Sequence, residues 1–204
     1  NALSTPWEGA VNEAQAGEGF FTVGSNGAAA DSGAVGVQQA QSGYYTVTAL
    51  GGTTATAAGA VDEAQAAAGY YTVDSNDDAK DGGASDVEPC ASGYYSGVGA
   101  TVCTEVQAGY YAVSTSGGTT ATNSAAVDES ICTVGTFSAA GASACTTAQL
   151  GYYTVDSGGN ALSSPWEGAV SEAQAGEGFF TIDSNGDAAD SGAVGVQQAQ
   201  SGYY

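Results

Sequence analysis

Apolar positions along this chain come in short bursts, not in a sustained helical rhythm. Each burst opens on glycine and an aromatic pair: Gly19-Phe20-Phe21, Gly43-Tyr44-Tyr45, Gly69-Tyr70-Tyr71, Gly93-Tyr94-Tyr95, Gly109-Tyr110-Tyr111, Gly151-Tyr152-Tyr153, Gly178-Phe179-Phe180 and Gly202-Tyr203-Tyr204. Gly135-Thr136-Phe137 keeps half of the motif. The pair usually runs on into Thr-Val, as in Tyr70-Tyr71-Thr72-Val73. Aromatic and β-branched residues directly after glycine predict a strand of about five residues. The stretches between are rich in Gly, Ser, Thr, Ala and Asp, which is turn and loop material. No segment holds a 3.6-residue period, so helix is expected to be scarce.

These bursts define two nested repeats. Successive motif glycines stand 24, 26, 24, 16, 26, 16, 27 and 24 residues apart. Residues 1–45 return as 160–204 with five differences: Thr5/Ser164, Asn12/Ser171, Val23/Ile182, Gly24/Asp183 and Ala28/Asp187. One long repeat of 159 residues therefore holds seven short units. The expected division is a partial unit 1–15, then units 16–39, 40–65, 66–89, 90–105, 106–131, 132–147, 148–174 and 175–198, and a partial unit 199–204. A sequence that starts over in this way reads as a window onto a longer tandem array, and such internal repetition decides the fold class.

Neighbouring side chains on a strand point to opposite faces. One ring of each pair can close its own unit while the other meets an adjacent unit. Ordinary strand packing and a ladder of rings along the array both satisfy this pattern. A ladder would add stacking of about 0.5–1.5 kcal/mol per pair.

Composition sharpens the picture. The chain has 204 residues and a formal net charge of −21, with Lys80 as its one basic residue and no histidine. Such a surface repels phosphate backbones and anionic membranes. Divalent cations or basic partners are its natural counter-charges. No stretch approaches the ~20 apolar residues of a membrane-spanning helix. Much of the 43% hydrophobic content is alanine, and large apolar volume comes mainly from 12 tyrosines, five phenylalanines and the valines. That is thin for one compact core. A stack of small units, each buried against its neighbours, fits better. The fold expected is all-β and irregular: an elongated tandem array of short hairpin-like units.

Four cysteines form two pairs at one spacing, Cys90 with Cys103 and Cys132 with Cys145. Both stretches share the frame Cys-x-x-Gly-x-aromatic-Ser-x-x-Gly-Ala-x-x-Cys-Thr and lie in the two 16-residue units. A unit that short cannot stabilise itself by burial, whereas a disulfide closing such a loop is worth about 3 kcal/mol in the chain-entropy model. Two cysteines per site without histidine support metal poorly. Disulfides imply an oxidising, extracellular setting.

This frame resembles the cysteine-rich repeats called ephrin-receptor-like, related in style to tumour-necrosis-factor-receptor repeats and abundant in large surface proteins of protists. The likeness covers 90–111 and 132–153 directly and reaches the other units only through the Gly-aromatic motif. The family cysteine three residues before the motif glycine is replaced at Ala16, Ala40, Ala66, Val106, Ala148, Ala175 and Ala199. Its partner, three residues earlier, becomes Glu13, Val37, Glu63, Val87, Glu129, Glu172 or Val196. Most units have lost both, so the two positions are expected to be mates. Stacking between units, cations or sugars are the candidates to replace the lost bridges. The resemblance implies a surface or matrix role and carries over no catalytic residue.

Two acidic loops are candidate Ca²⁺ sites. Asp74, Asn76, Asp78 and Asp81 share their spacing with Asp183, Asn185, Asp187 and Asp190. Short oxygen-rich loops suit a hard cation taking 6–8 oxygens. A solvated Asp/Asn turn gives the same pattern, and the first copy of the loop has Gly24 and Ala28 in place of two of the acids.

No Asn-x-Ser/Thr sequon occurs. Hydroxyl clusters stand at Ser4-Thr5-Pro6, Thr53-Thr54-Ala55-Thr56, Thr119-Thr120-Ala121-Thr122 and Ser163-Ser164-Pro165. Such clusters are typical of O-glycosylated stalks and make Ser4, Thr5, Thr53, Thr54, Thr56, Thr119, Thr120, Thr122, Ser163 and Ser164 candidate O-glycan sites. Catalysis has little to stand on without histidine or arginine, so no enzyme is expected. The function expected is structural: a component of an extracellular fibril or surface appendage, with copies of itself or successive repeats, and glycans, as partners. A Ca²⁺-dependent adhesin or receptor ectodomain is the alternative.

Overall fold

A computed structural model of the protein describes residues 14–200. Among these residues the fold is all-β, with no helix and eight antiparallel two-stranded hairpins in tandem. The strands pair strictly in sequence order. β1 (Phe20–Val23) pairs with β2 (Gly36–Gln39), β3 (Tyr44–Val47) with β4 (Asp62–Gln65), and β5 (Tyr70–Val73) with β6 (Asp86–Pro89). β7 (Tyr94–Tyr95) pairs with β8 (Thr104–Glu105), β9 (Tyr110–Val113) with β10 (Asp128–Ile131), and β11 (Thr136–Phe137) with β12 (Thr146–Thr147). β13 (Tyr152–Val155) with β14 (Ser171–Gln174), and β15 (Phe179–Ile182) with β16 (Gly195–Gln198), complete the series. Each predicted burst among the described residues is a first strand, four residues long in the full units and two in the cysteine units; Gly202-Tyr203-Tyr204 lies outside them.

The chain divides into two compact units. The first holds hairpins β1–β2, β3–β4 and β5–β6 together with 96–103; the second holds 91–95 and everything from Thr104 onward. One rule joins successive hairpins within each. The second residue of the aromatic pair forms a parallel bridge to an alanine of the next hairpin: Phe21 to Ala60 and Tyr45 to Ala84 in the first unit, Tyr95 to Ala126, Phe137 to Ala169 and Tyr153 to Ala193 in the second. Behind the bridge, the next residue donates its N–H to that alanine's carbonyl, as from Thr22 to Ala60 at 3.0 Å and from Thr154 to Ala193 at 3.0 Å.

These bridges explain the alanine content. Ala60, Ala84, Ala126, Ala169 and Ala193 are all 0–1% exposed, because two backbones meet there and only a methyl group fits between them. Much of the remaining core is valine at the ends of the four-residue first strands, with Val47, Val73 and Val113 fully buried. In three hairpins the preceding residue is a buried threonine that turns its hydroxyl onto its own loop: Thr46 Oγ1 donates to the Thr56 carbonyl, Thr72 Oγ1 to that of Lys80 and Thr181 Oγ1 to that of Ala189. The core is thus a file of small clusters, such as Tyr45, Val47 and Ala84 with Ala55, Ala64 and Val87 packed around them.

Glycine at the motif position meets two demands together. Gly43 has φ +75°, and a Cβ built on it would overlap the Gly99 carbonyl two hairpins on. The same close approach joins Gly19 to Gly83, Gly93 to Gly141, Gly109 to Gly168 and Gly135 to Gly192. Within each unit, a hairpin is therefore fitted to its next neighbour through alanine and, at these five glycines, to the one after.

Candidate functional site

The position three residues before each motif glycine is the corner where a hairpin is closed. Its residue is small and buried in seven hairpins: Ala16, Ala40, Ala66, Cys90, Val106, Cys132 and Ala148 are 0–2% exposed. Its carbonyl accepts an N–H from the next hairpin, from Gly59 to Ala16, Gly83 to Ala40, Gly168 to Cys132 and Gly192 to Ala148, at 2.8–2.9 Å. A larger side chain would push that loop away, so the corner accepts only alanine, valine or cysteine.

Across the hairpin from this corner lies the second position, and its occupant decides how the hairpin is stapled. In the two short hairpins it is cysteine, and Cys90–Cys103 and Cys132–Cys145 are disulfide-bonded, with Cα atoms 5.8 and 5.7 Å apart. These bonds place the chain in an oxidising environment. In three long hairpins it is glutamate, which takes a glutamine from the residue after the corner. Glu63 Oε2 accepts the Gln41 N–H at 2.7 Å and Oε1 the Gln41 side-chain amide at 2.6 Å. Glu129 holds Gln107 at 2.9 and 2.7 Å, and Glu172 holds Gln149 at 2.8 and 2.9 Å. In the others it is valine: Val37, Val87 and Val196.

In three of the six described hairpins without a disulfide, this glutamate–glutamine clamp stands in place of the bridge, and sequence reasoning missed it. A signal was present. Within the chain, glutamine follows the corner residue at 41, 107 and 149, the three hairpins with Glu63, Glu129 and Glu172; Gly17, Ala67 and Gly176 follow it where the partner is valine.

The acidic loops are tight turns. Asp74 Oδ1 accepts the N–H groups of Asn76 and Asp78, and Asp183 Oδ1 those of Asn185 and Asp187. These backbone donors hold both carboxyls below the usual range. Asp156 makes the same turn with Gly158 and Asn160, at a place the sequence reading passed over. Gly24, with no carboxylate, keeps the same loop closure: its N–H donates to the Ala28 carbonyl at 2.8 Å, as Asp74 does to Asp78 at 2.9 Å. The carboxylate is therefore an aid to the turn and not its condition. Lys80 Nζ lies 3.7 Å from Asp74 Oδ2, and Asp81 accepts a hydrogen bond from Ser42 of the previous hairpin. Asp190 is exposed. Among the described residues no three His, Cys, Asp or Glu side chains are grouped to hold a metal ion.

The threonine clusters form a second loop type, closed from below by an aspartate. Asp62 Oδ2 accepts the Gly51 N–H at 2.8 Å; Asp128 Oδ2 accepts from Gly117 N–H and the Ser116 hydroxyl. Tyr45 and Tyr111 reach up with their hydroxyls to the carbonyls of Thr53 and Thr119. Thr53, Thr54, Thr119, Thr120, Ser163 and Ser164 are exposed. Thr56 and Thr122 are half-buried and spend their hydroxyls on local turns, donating to the carbonyls of Ala58 and Ser124. Ser4 and Thr5 lie outside the described residues.

No protein-family model matches the chain, and no curated protein matches it. Among the described residues no helix is long and apolar enough to cross a membrane.

Proposed function

We propose that this chain is a structural component of an extracellular fibril or surface appendage built from tandem repeats. One observation carries the reading: the parallel bridge from second aromatic to alanine recurs from hairpin to hairpin with the same partners and the same backbone donors. A set of contacts that is the same at every step suits indefinite extension and gives no step a privileged ligand site. The near-exact return of 45 residues after 159 supports it, as does the lack of histidine and arginine for catalysis. The single basic residue also leaves an exposed fibre almost without trypsin-like cleavage sites. A repeat built in the style of protist surface proteins belongs in such a setting.

The exposed Thr53, Thr54, Thr119, Thr120, Ser163 and Ser164 are the places for O-linked sugar, the threonines on loops that Asp62 and Asp128 hold from beneath. Thr56 and Thr122, whose hydroxyls are engaged, are not. Negative-stain microscopy of native material tests the main reading: filaments with a regular axial repeat support it, and dispersed short particles refute it. Intact mass of the native chain tests the sugar, which is ruled out by a mass equal to the bare polypeptide.

A further inference from the structure

Asparagine meets glycine twice among the described residues, at Asn26-Gly27 and Asn185-Gly186; Asn76, Asn123 and Asn160 are followed by Asp77, Ser124 and Ala161. Both pairs stand at the tip of the tight turn after a first strand, β1 in one case and β15 in the other, and all four residues are exposed. That exposure belongs to the turn. Asn76-Asp77 and Gly158-Gly159 hold the same place after β5 and β13, in the interior of the chain, and are exposed too. The second position of the pair is left-handed, with φ +77° at Gly27, +86° at Gly186 and +78° at Gly159. Glycine takes that backbone without strain. It also leaves its amide nitrogen unscreened by a Cβ, beside the asparagine side chain.

The two turns close alike but hold their asparagines differently. The Gly27 N–H donates to the Gly24 carbonyl at 2.9 Å, and the Gly186 N–H to the Asp183 carbonyl at 3.1 Å. Asn26 is held by its oxygen: Oδ1 accepts the Ala28 N–H at 3.1 Å, and residues 24–28 include no carboxylate. Asn185 is held by its nitrogen: Nδ2 donates to Asp183 Oδ2 at 3.3 Å, and Asp187 stands two residues on.

We propose that Asn26 is a site of spontaneous conversion to aspartate and isoaspartate through a succinimide, and that Asn185 is a slower one. The Gly27 nitrogen gives up its proton to solvent base and attacks Asn26 Cγ. The bond from Cγ to Nδ2 breaks, ammonia leaves with a proton from water, and a five-membered ring joins side chain to main chain. Water then opens the ring at either carbonyl, so the net change is water in and ammonia out. The Ala28 N–H donates to the oxygen on which negative charge gathers as Cγ is attacked, and so favours the step. At Asn185 the Asp183 carboxylate opposes the same build-up of charge and holds the leaving nitrogen. At Asn76 the Asp77 side chain crowds the nucleophile, and Asp74 and Asp78 add their charges. Each event adds a negative charge to a chain already at −21.

Peptide mass mapping of the 204-residue chain, aged in mildly alkaline buffer, tests this. Cleavage after glutamate isolates Asn26 on 19–63, Asn76 on 64–88 and Asn185 on 178–204. Asn26 is expected to convert about threefold or more faster than Asn185 and about tenfold or more faster than Asn76. Gly24→Asp with Ala28→Asp should slow Asn26 to the rate of Asn185, and Asp183→Gly with Asp187→Ala should raise Asn185 to that of Asn26. Each exchange installs a turn that the chain already contains, so both variants fold. In denaturant, where the turns are open, the two sites should convert at near-equal rates. An Asn26 that stays intact overturns the proposal, as do equal rates at the two sites in the folded chain, exchanges that leave the rates unmoved, or a difference that persists unchanged in denaturant.

Discussion

Glu63 grips Gln41 with both carboxylate oxygens, one on the backbone N–H and one on the side-chain amide, at 2.7 and 2.6 Å. In the disulfide hairpins the corresponding corner is closed by Cys103 on Cys90. The disulfide joins the buried corner to its cross-strand mate, and the charge-assisted pair joins the same mate position to the exposed residue after the corner, so both close the hairpin at one place. Gln41→Ala and Glu63→Ala should each cost about 1 kcal/mol, less than a buried charged hydrogen bond because the pair meets solvent. The double variant should cost little more than either single one, as read from urea melts; additive losses would mean that the two side chains do not act on each other.

The same corner should accept a third disulfide. Ala40→Cys combined with Glu63→Cys places thiols where Cys90 and Cys103 stand. Titration of free thiols after air oxidation should find none, and stability should rise by about 3 kcal/mol over the unlinked chain. A pair that stays reduced would refute the equivalence of the two corners.

Ala125 is the exception in a series of glycines. It has φ +49° where the equivalent residues Gly59, Gly83, Gly99, Gly141, Gly168 and Gly192 have φ between +65° and +75°. Left-handed backbone costs a Cβ-bearing residue about 1–2 kcal/mol, so Ala125→Gly should stabilise the chain by about 1 kcal/mol. Gly43→Ala should do the reverse and by more, about 3 kcal/mol or beyond, since it adds overlap with the Gly99 carbonyl to the strain. Thermal melts of the two variants decide both signs.

Among the described residues, Thr154 Oγ1 is a buried hydroxyl without a hydrogen-bond partner. Thr72, its counterpart, donates to the Lys80 carbonyl at 2.6 Å. Ala112 fills the same place in another hairpin without loss of the fold. Thr154→Ala should therefore be close to neutral, while Thr72→Ala should cost about 1–2 kcal/mol. Equal losses in denaturant titrations would contradict the difference in bonding.

Asp128 gives a pH dependence of definite sign. The Gly117 and Glu129 N–H groups and the Ser116 hydroxyl favour its charged form and hold its carboxyl below the usual range. Its folded pKa is thus below its unfolded value of about 3.9. The stabilisation is present in full above that unfolded value and is lost as pH falls through the folded one. Stability measured from pH 6 downward should fall on the acid side, and Asp128→Asn should flatten part of that fall. An unchanged acid limb in the variant would show that the loop closure does not depend on the charge.

The hairpins themselves were legible because their signal is local. A glycine, two rings and a β-branched pair announce a strand in Tyr70–Val73 as plainly as in Phe179–Ile182. The cysteine pairs were legible for the same reason, since Cys90 and Cys103 lie 13 residues apart within one hairpin. The glutamate clamp was not read, because Gln41 and Glu63 are 22 residues apart and meaningful only once the hairpin register sets them at one corner. The acidic loops were legible as turns but not in their chemistry, because a carboxylate that caps backbone N–H groups and one that binds a cation look alike in one dimension.

The sequence by itself determined the unit: where each strand begins, which loops bend, and which hairpins are cross-linked, all matters of bonding between residues close along the chain. Only the tertiary structure decided what the units do to one another. It turned alanine from thin core material into the point where two backbones meet, and glycine from a turn residue into the seat for a hairpin two steps on. The physical reason is that burial belongs to neighbours in space, and here the neighbour is always the next repeat.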